Sequence, residues 1–108
     1  MRWASLVVVA LAACGTDTDR SCTPDVTYRT VGQPFVENWC RGCHSSEVSP
    51  GMRQRAPDDI NFDTLDEIRA RLLDVDATVT MRTMPPAGGP TDDERALMSQ
   101  WLQCGAAP

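Results

Sequence analysis

Phe35-Val36-Glu37-Asn38-Trp39-Cys40-Arg41-Gly42-Cys43-His44-Ser45 decides how this chain folds and what it can carry. Side chains at i, i+3 and i+4 share one face of a helix. A helical run here therefore points Cys40, Cys43 and His44 to the same side. The flanking residues favour a helix. Thr30-x-x-Gln33 has the form of a capping box, Pro34 suits a first turn, and Phe35, Val36, Trp39, Cys40 and Cys43 make an apolar stripe.

C-x-x-C-H is the attachment motif of c-type haem. Two thiols on one face can add to the two vinyl groups of the macrocycle while the imidazole reaches the iron from that side. Chance placement of five cysteines and one histidine produces this spacing only rarely. A thioredoxin-like redox pair would need a βαβ context, which is missing. A zinc site built from Cys22, Cys40, Cys43 and Cys104 would lack the second close pair that marks such clusters.

From about Thr30 to the C-terminus the chain resembles the small class I c-type cytochrome domains, of the single-haem, bacterial lipoprotein type. Phe35 to Ser45 is similar to their opening helix. Met84-Pro85-Pro86 resembles the loop that supplies their sixth iron ligand, and Glu94, Trp101-Leu102 and Gly105-Ala106 resemble their closing helix. The resemblance implies an all-α fold, with three to four helices wrapped around one covalent haem c. Cys40 and Cys43 would be the thioether residues, His44 the proximal iron ligand and Met84 the distal one, with Met81 as fallback. In that family the histidine ring N–H donates to a backbone carbonyl, here Pro50 or Pro57. Its first and last helices cross, so Trp101 is expected to meet Phe35 or Trp39.

The residues bear on the sixth ligand independently. His44 is the only histidine, which excludes a second imidazole from this chain. Met98 falls in the last expected helix, where methionine usually fills core space. Met52 follows the motif closely in a Pro-Gly loop, a short path around a haem edge. Met81 and Met84 lie further on, and Pro85 keeps Met84 out of the helical region. Two prolines stiffen that loop, so less entropy is lost when a weak thioether bond closes.

The N-terminus reads as an address. Arg2 precedes an apolar run from Ala4 to Ala13, too short for the roughly 20 residues of a membrane span. Leu11-Ala12-Ala13-Cys14-Gly15 resembles a bacterial lipobox, with Cys14 as the lipidated residue; an ordinary signal peptide is the alternative. Multiple acyl chains anchor firmly where one does not. The expected organisation is a lipoprotein signal peptide at 1–13, a lipidated N-terminus and tether at 14–29, and a cytochrome c-like domain at 30–108. That places the protein in the bacterial cell envelope, exported and membrane-anchored, facing the periplasm or the outer surface. An oxidising compartment permits disulfides. With Cys14, Cys40 and Cys43 assigned, Cys22 and Cys104 remain as a candidate disulfide, or as two buried or reactive thiols.

Ser49 to Asn61 is rich in Pro, Gly and Arg and reads as an irregular loop. Arg53 and Arg55 there are either partners for haem propionates or exposed solubilising charges. Thr64-Leu65-Asp66-Glu67 is a second capping box, with Leu65, Ile68, Leu72 and Val75 following at the spacing of one middle helix. The last helix starts at Thr91-Asp92-Asp93-Glu94, a capping box with an acidic first turn. It puts Leu97, Trp101 and Cys104 on one face and ends at Gly105.

The net charge of −5 argues against a nucleic-acid partner. It suggests a redox protein with a basic docking face, steered electrostatically and weakened by salt. Much of the 42% hydrophobic content sits in the leader. Beyond it, Leu, Ile, Val and Phe fall below the roughly 20% at which high charge begins to suggest disorder. A large, mostly apolar haem would fill that thin core. No acid–base pair, nucleophile or phosphate loop is visible, so the chain reads as a one-electron carrier rather than an enzyme. Two other classes stay open: a haem sensor or peroxidase-like protein with a displaceable sixth ligand, and a non-redox zinc or disulfide domain.

Overall fold

The computed structural model describes residues 22–108. The signal-peptide segment, Cys14 and the first part of the expected tether lie outside the described residues. The described residues form a helical domain without strands: α1 (Gln33–Trp39), α2 (Leu65–Ala70), α3 (Leu72–Thr80) and α4 (Asp92–Gln103). A wide helical turn, Tyr28–Gly32, leads into α1, and a short 3-10 turn, Pro50–Met52, lies in the long loop after it. No helix among them is long and apolar enough to cross a membrane.

The first helical segment begins earlier than Thr30. Thr27 is the N-cap, and Thr27 and Thr30 cap one another reciprocally: each side chain accepts the other's backbone N–H, at 3.0 and 3.2 Å. The Thr30 hydroxyl is thus spent on the turn behind it and does not start a box with Gln33. The expected middle helix is two helices. Arg71, with φ −125° and ψ 27°, breaks the chain between Ala70 and Leu72. Thr64 caps the first of the two through the Glu67 N–H.

The last helix follows its sequence signals at both ends. Thr91 and Glu94 form the reciprocal capping box, and Gly105 takes φ +86° just beyond the final turn. Its buried face differs from the expected one. Met98, Trp101 and Leu102 are fully buried, whereas Leu97 is 43% exposed and lies at the margin. Trp101 shares the buried core with Phe35 and has a further aromatic neighbour. Its ring stacks on Tyr28 at 6.0 Å, and the helices cross at Gly32, where a Cβ would fall 2.5 Å from the indole. Trp39 instead packs on Gly89, in the loop before α4.

Cys22 and Cys104 are joined in a disulfide, their Cα atoms 5.5 Å apart. The C-terminal tail is bound in beside it. Ala107 O accepts from Tyr28 N at 2.7 Å and Trp101 Nε1 at 2.9 Å, and Ala106 O accepts from the Arg69 guanidinium. Val31, Phe35, Val36, Ile68, Val75 and Val79 complete most of a small core around Trp101.

Candidate functional site: a cavity shared by the Cys-x-x-Cys-His turn and the Met84 loop

The regular helix stops at Trp39, one residue before the motif. The Cys40 and Arg41 N–H groups both donate to Val36 O at 2.9 Å, and this widened turn ends α1. Beyond it, Cys43 N and His44 N both donate to Cys40 O, at 3.2 and 2.9 Å. The second of these has the i to i+4 spacing of an α-helix. One isolated turn therefore keeps Cys40, Cys43 and His44 to one side, and all three line a single cavity of about 410 Å³.

That cavity is mostly apolar, with Phe35, Trp39, Ile60, Phe62, Val75 and Val79 in its lining. Met84, Pro85 and Pro86 line it as well. A second cavity of similar size lies between α3 and α4. Its lining is largely polar, with Arg82, Asp92 and Gln103, and it holds none of the motif residues.

His44 is fixed at ring and backbone by one segment. Its Nδ1 lies 2.9 Å from Ile60 O, and its own carbonyl accepts Phe62 N at 2.9 Å. A carbonyl only accepts, so Nδ1 is the donor and Nε2 of the neutral ring keeps its lone pair. The acceptor is Ile60, not Pro50 or Pro57. The Pro57 carbonyl is taken by Arg53 Nη2 at 2.6 Å. Phe62 lies against the imidazole, ring centres 5.2 Å apart.

Arg53 is neither an exposed charge nor turned outward. It is 3% exposed and donates to Ser45 O at 2.5 Å, Ile60 O at 3.1 Å and Ala56 O at 3.4 Å, besides Pro57 O. Arg55 is exposed and lines the cavity, as does Arg71, which is paired with Asp59 at 3.7 Å. Asp63 secures the other side of the motif. The Ser45 hydroxyl and the Ser46 N–H, with the Ser46 hydroxyl and Arg41 guanidinium, hold its carboxyl well below the usual carboxylate range.

Burial pushes the Cys40 thiol up to about 12, so it stays protonated at neutral pH. A protonated thiol is neither a thiolate metal ligand nor a thiol–disulfide nucleophile. The disulfide takes Cys22 and Cys104 out of the zinc set considered from sequence and leaves Cys40 and Cys43 as free thiols. No group of three or more His, Cys, Asp or Glu side chains converges among the described residues.

Among the described methionines, Met84 alone belongs to the cavity lining. Met81 and Met52 are more than 70% exposed, and Met98 is buried in the core. The Met84 backbone is held on both sides: its N–H donates to Thr78 O at 3.3 Å, and its carbonyl accepts Arg95 Nη1 at 2.9 Å. The same Arg95 nitrogen donates to Val79 O at 2.9 Å. From the sequence Arg53 is a propionate partner or an exposed charge, and Arg95 and Asp63 carry no expected role. Arg95 and Asp63 act on groups distant in the chain, which no local spacing encodes, while Arg53 turns to the carbonyls of its own loop.

Two free thiols, an imidazole held through Nδ1 and a thioether, around an apolar cavity, make a donor set that fits a covalently attached haem. Comparison with protein-family models, with curated proteins and with solved structures finds no match to this chain.

Proposed function

We propose that this chain is a cytochrome c-like, single-haem electron carrier, anchored to a membrane through a lipidated Cys14 and working outside the cytoplasm. The observation that carries the reading is the convergence of Cys40, Cys43, His44 and Met84 on one apolar cavity. Cys40 and Cys43 would hold the haem through thioethers, and His44 Nε2 and Met84 Sδ would be its iron ligands. When bound, the haem supplies a reversible one-electron couple, and Met/His ligation favours a raised potential.

The chain's own residues orient and exclude. Ile60 O fixes the His44 ring and supports its donor strength. Phe35, Phe62, Val75 and Val79 give the cavity an apolar wall. Thr78 and Arg95 hold the backbone of Met84, so that little rearranges between two oxidation states. The net charge of −5 suits a partner with a basic docking face.

Expression with haem-attachment machinery tests the reading. The purified protein should carry one covalent haem by mass and absorbance, with the far-red band of sulfur-to-iron ligation. Met84→Ala should lose that band and bind carbon monoxide rapidly, while Met81→Ala should keep it. A wild-type protein without covalent haem would sink the reading.

A further inference from the structure

Resting on that reading, we infer that Arg53 is a positioning residue for His44, acting through the Ile60 carbonyl that the two side chains share. Ile60 O accepts His44 Nδ1 at 2.9 Å and Arg53 Nη2 at 3.1 Å. Arg53 also donates to the carbonyl of Ser45, the residue after His44, at 2.5 Å. One buried guanidinium therefore joins the backbone that carries the histidine to the backbone that receives its ring proton. The Asp58 carboxylate lies 3.7 Å from Arg53 Nε and is 85% exposed, so water screens it.

The shared acceptor sets the character of the imidazole. A carbonyl oxygen has two lone pairs. A cationic donor on one of them draws electron density from that oxygen and weakens its bond to the second donor. His44 Nδ1–H is then held in place by an acceptor of reduced strength. A weaker bond at Nδ1 makes the ring a poorer electron donor at Nε2. The positive charge of Arg53, fixed in a low-dielectric interior, also opposes a further positive charge nearby. Both effects favour the reduced form of a metal held by His44, so Arg53 raises its potential.

The test compares haem-loaded wild type, Arg53→Gln and Arg53→Lys by redox titration and by the His44 Nδ1–H proton resonance of the reduced protein. In Arg53→Gln the potential should fall and the resonance should move to lower field, as the bond to Ile60 O strengthens. Arg53→Lys keeps the charge without the planar fork, so its potential should fall less while its resonance still moves. An unmoved Nδ1–H resonance in a folded variant overturns the inference, even if the potential changes, because Arg53 would then act only as a distant charge. If Arg53→Gln does not fold, the resonance of Arg53→Lys decides in the same way. Wild type that takes up no covalent haem defeats the proposed function; haem-loaded wild type with unshifted variants defeats only the role of Arg53.

Discussion

Arg53, Arg69 and Arg95 direct their guanidinium groups at backbone carbonyls: those of Ser45, Ala56, Pro57 and Ile60, of Ala106, and of Val79 and Met84. A planar fork with five donors can hold several fixed acceptors at once, which a single ammonium does less well. The sequence has ten arginines and no lysine, and these three positions give that bias a structural use. Arg95→Met should leave the Met84 carbonyl without its donor and the Val79 carbonyl with only the longer bond from Arg82 N–H, at 3.4 Å, at a cost of about 1–3 kcal/mol if the Met84 carbonyl stays buried. Urea titration measures that loss, and faster carbon monoxide binding to the haem-loaded variant would report a loosened Met84. Asp63 provides a pH signature. Its carboxyl lies below its ordinary value of 3.8 in the folded protein. The stability it confers is present above that value and is lost as pH falls through it toward the lower folded value. Asp63→Asn should therefore be less stable than wild type at neutral pH, with the gap closing as the solution is acidified below about pH 4. Acid titrations of both proteins, followed by circular dichroism, check the sign.

Among the elements, α4 was the most legible, because both of its ends are written locally: Thr91 with Glu94 at one, Gly105 at the other. The start of the first helical segment was not: Thr30 reads as the cap, but its hydroxyl pairs back with Thr27, which is the residue that caps the segment. The break at Arg71 has no proline or glycine to announce it. Met98 fills core space on α4 as expected, whereas Leu97, expected on the inward face with Trp101, lies at the margin. The cavity residues Cys40, Cys43, His44 and Met84 could be named from spacing and from a proline-rich loop. The arginine clamps behind them could not: Arg95 reaches carbonyls distant in the chain, and no local pattern shows that Arg53 turns inward to the carbonyls of its own loop. Helix crossing at Gly32 yields a sharp prediction. A Cβ there would overlap the ring of Trp101, which is fully buried. Gly32→Ala should cost about 1–3 kcal/mol in thermal or urea unfolding through overpacking, with loss of the Tyr28–Trp101 stacking signal in near-ultraviolet circular dichroism.

On the scale of the whole molecule, a thin core and a large apolar cavity belong together. The buried side chains gather around Trp101, and the wall of the core formed by Phe35, Phe62, Val75 and Val79 opens onto the cavity. On the proposed function, burial of a covalent haem supplies the missing apolar contact, and folding depends on attachment. Cys40→Ser/Cys43→Ser should therefore melt less cooperatively and at lower temperature than haem-loaded wild type in calorimetry. The disulfide contributes separately. It closes a loop of 82 residues by sequence separation, worth about 4.5 kcal/mol in the chain-entropy account. Cys22→Ser/Cys104→Ser should lose stability of that order in urea titration. The same bond also makes the domain a covalent ring. A protease that cuts the irregular stretch between Ser45 and Thr64 breaks the ring once and liberates no fragment. The nicked chain would run as one species on a gel until a reductant is added, so damage to the exposed loop does not part the chain N-terminal to it from the helix that ends at Gln103.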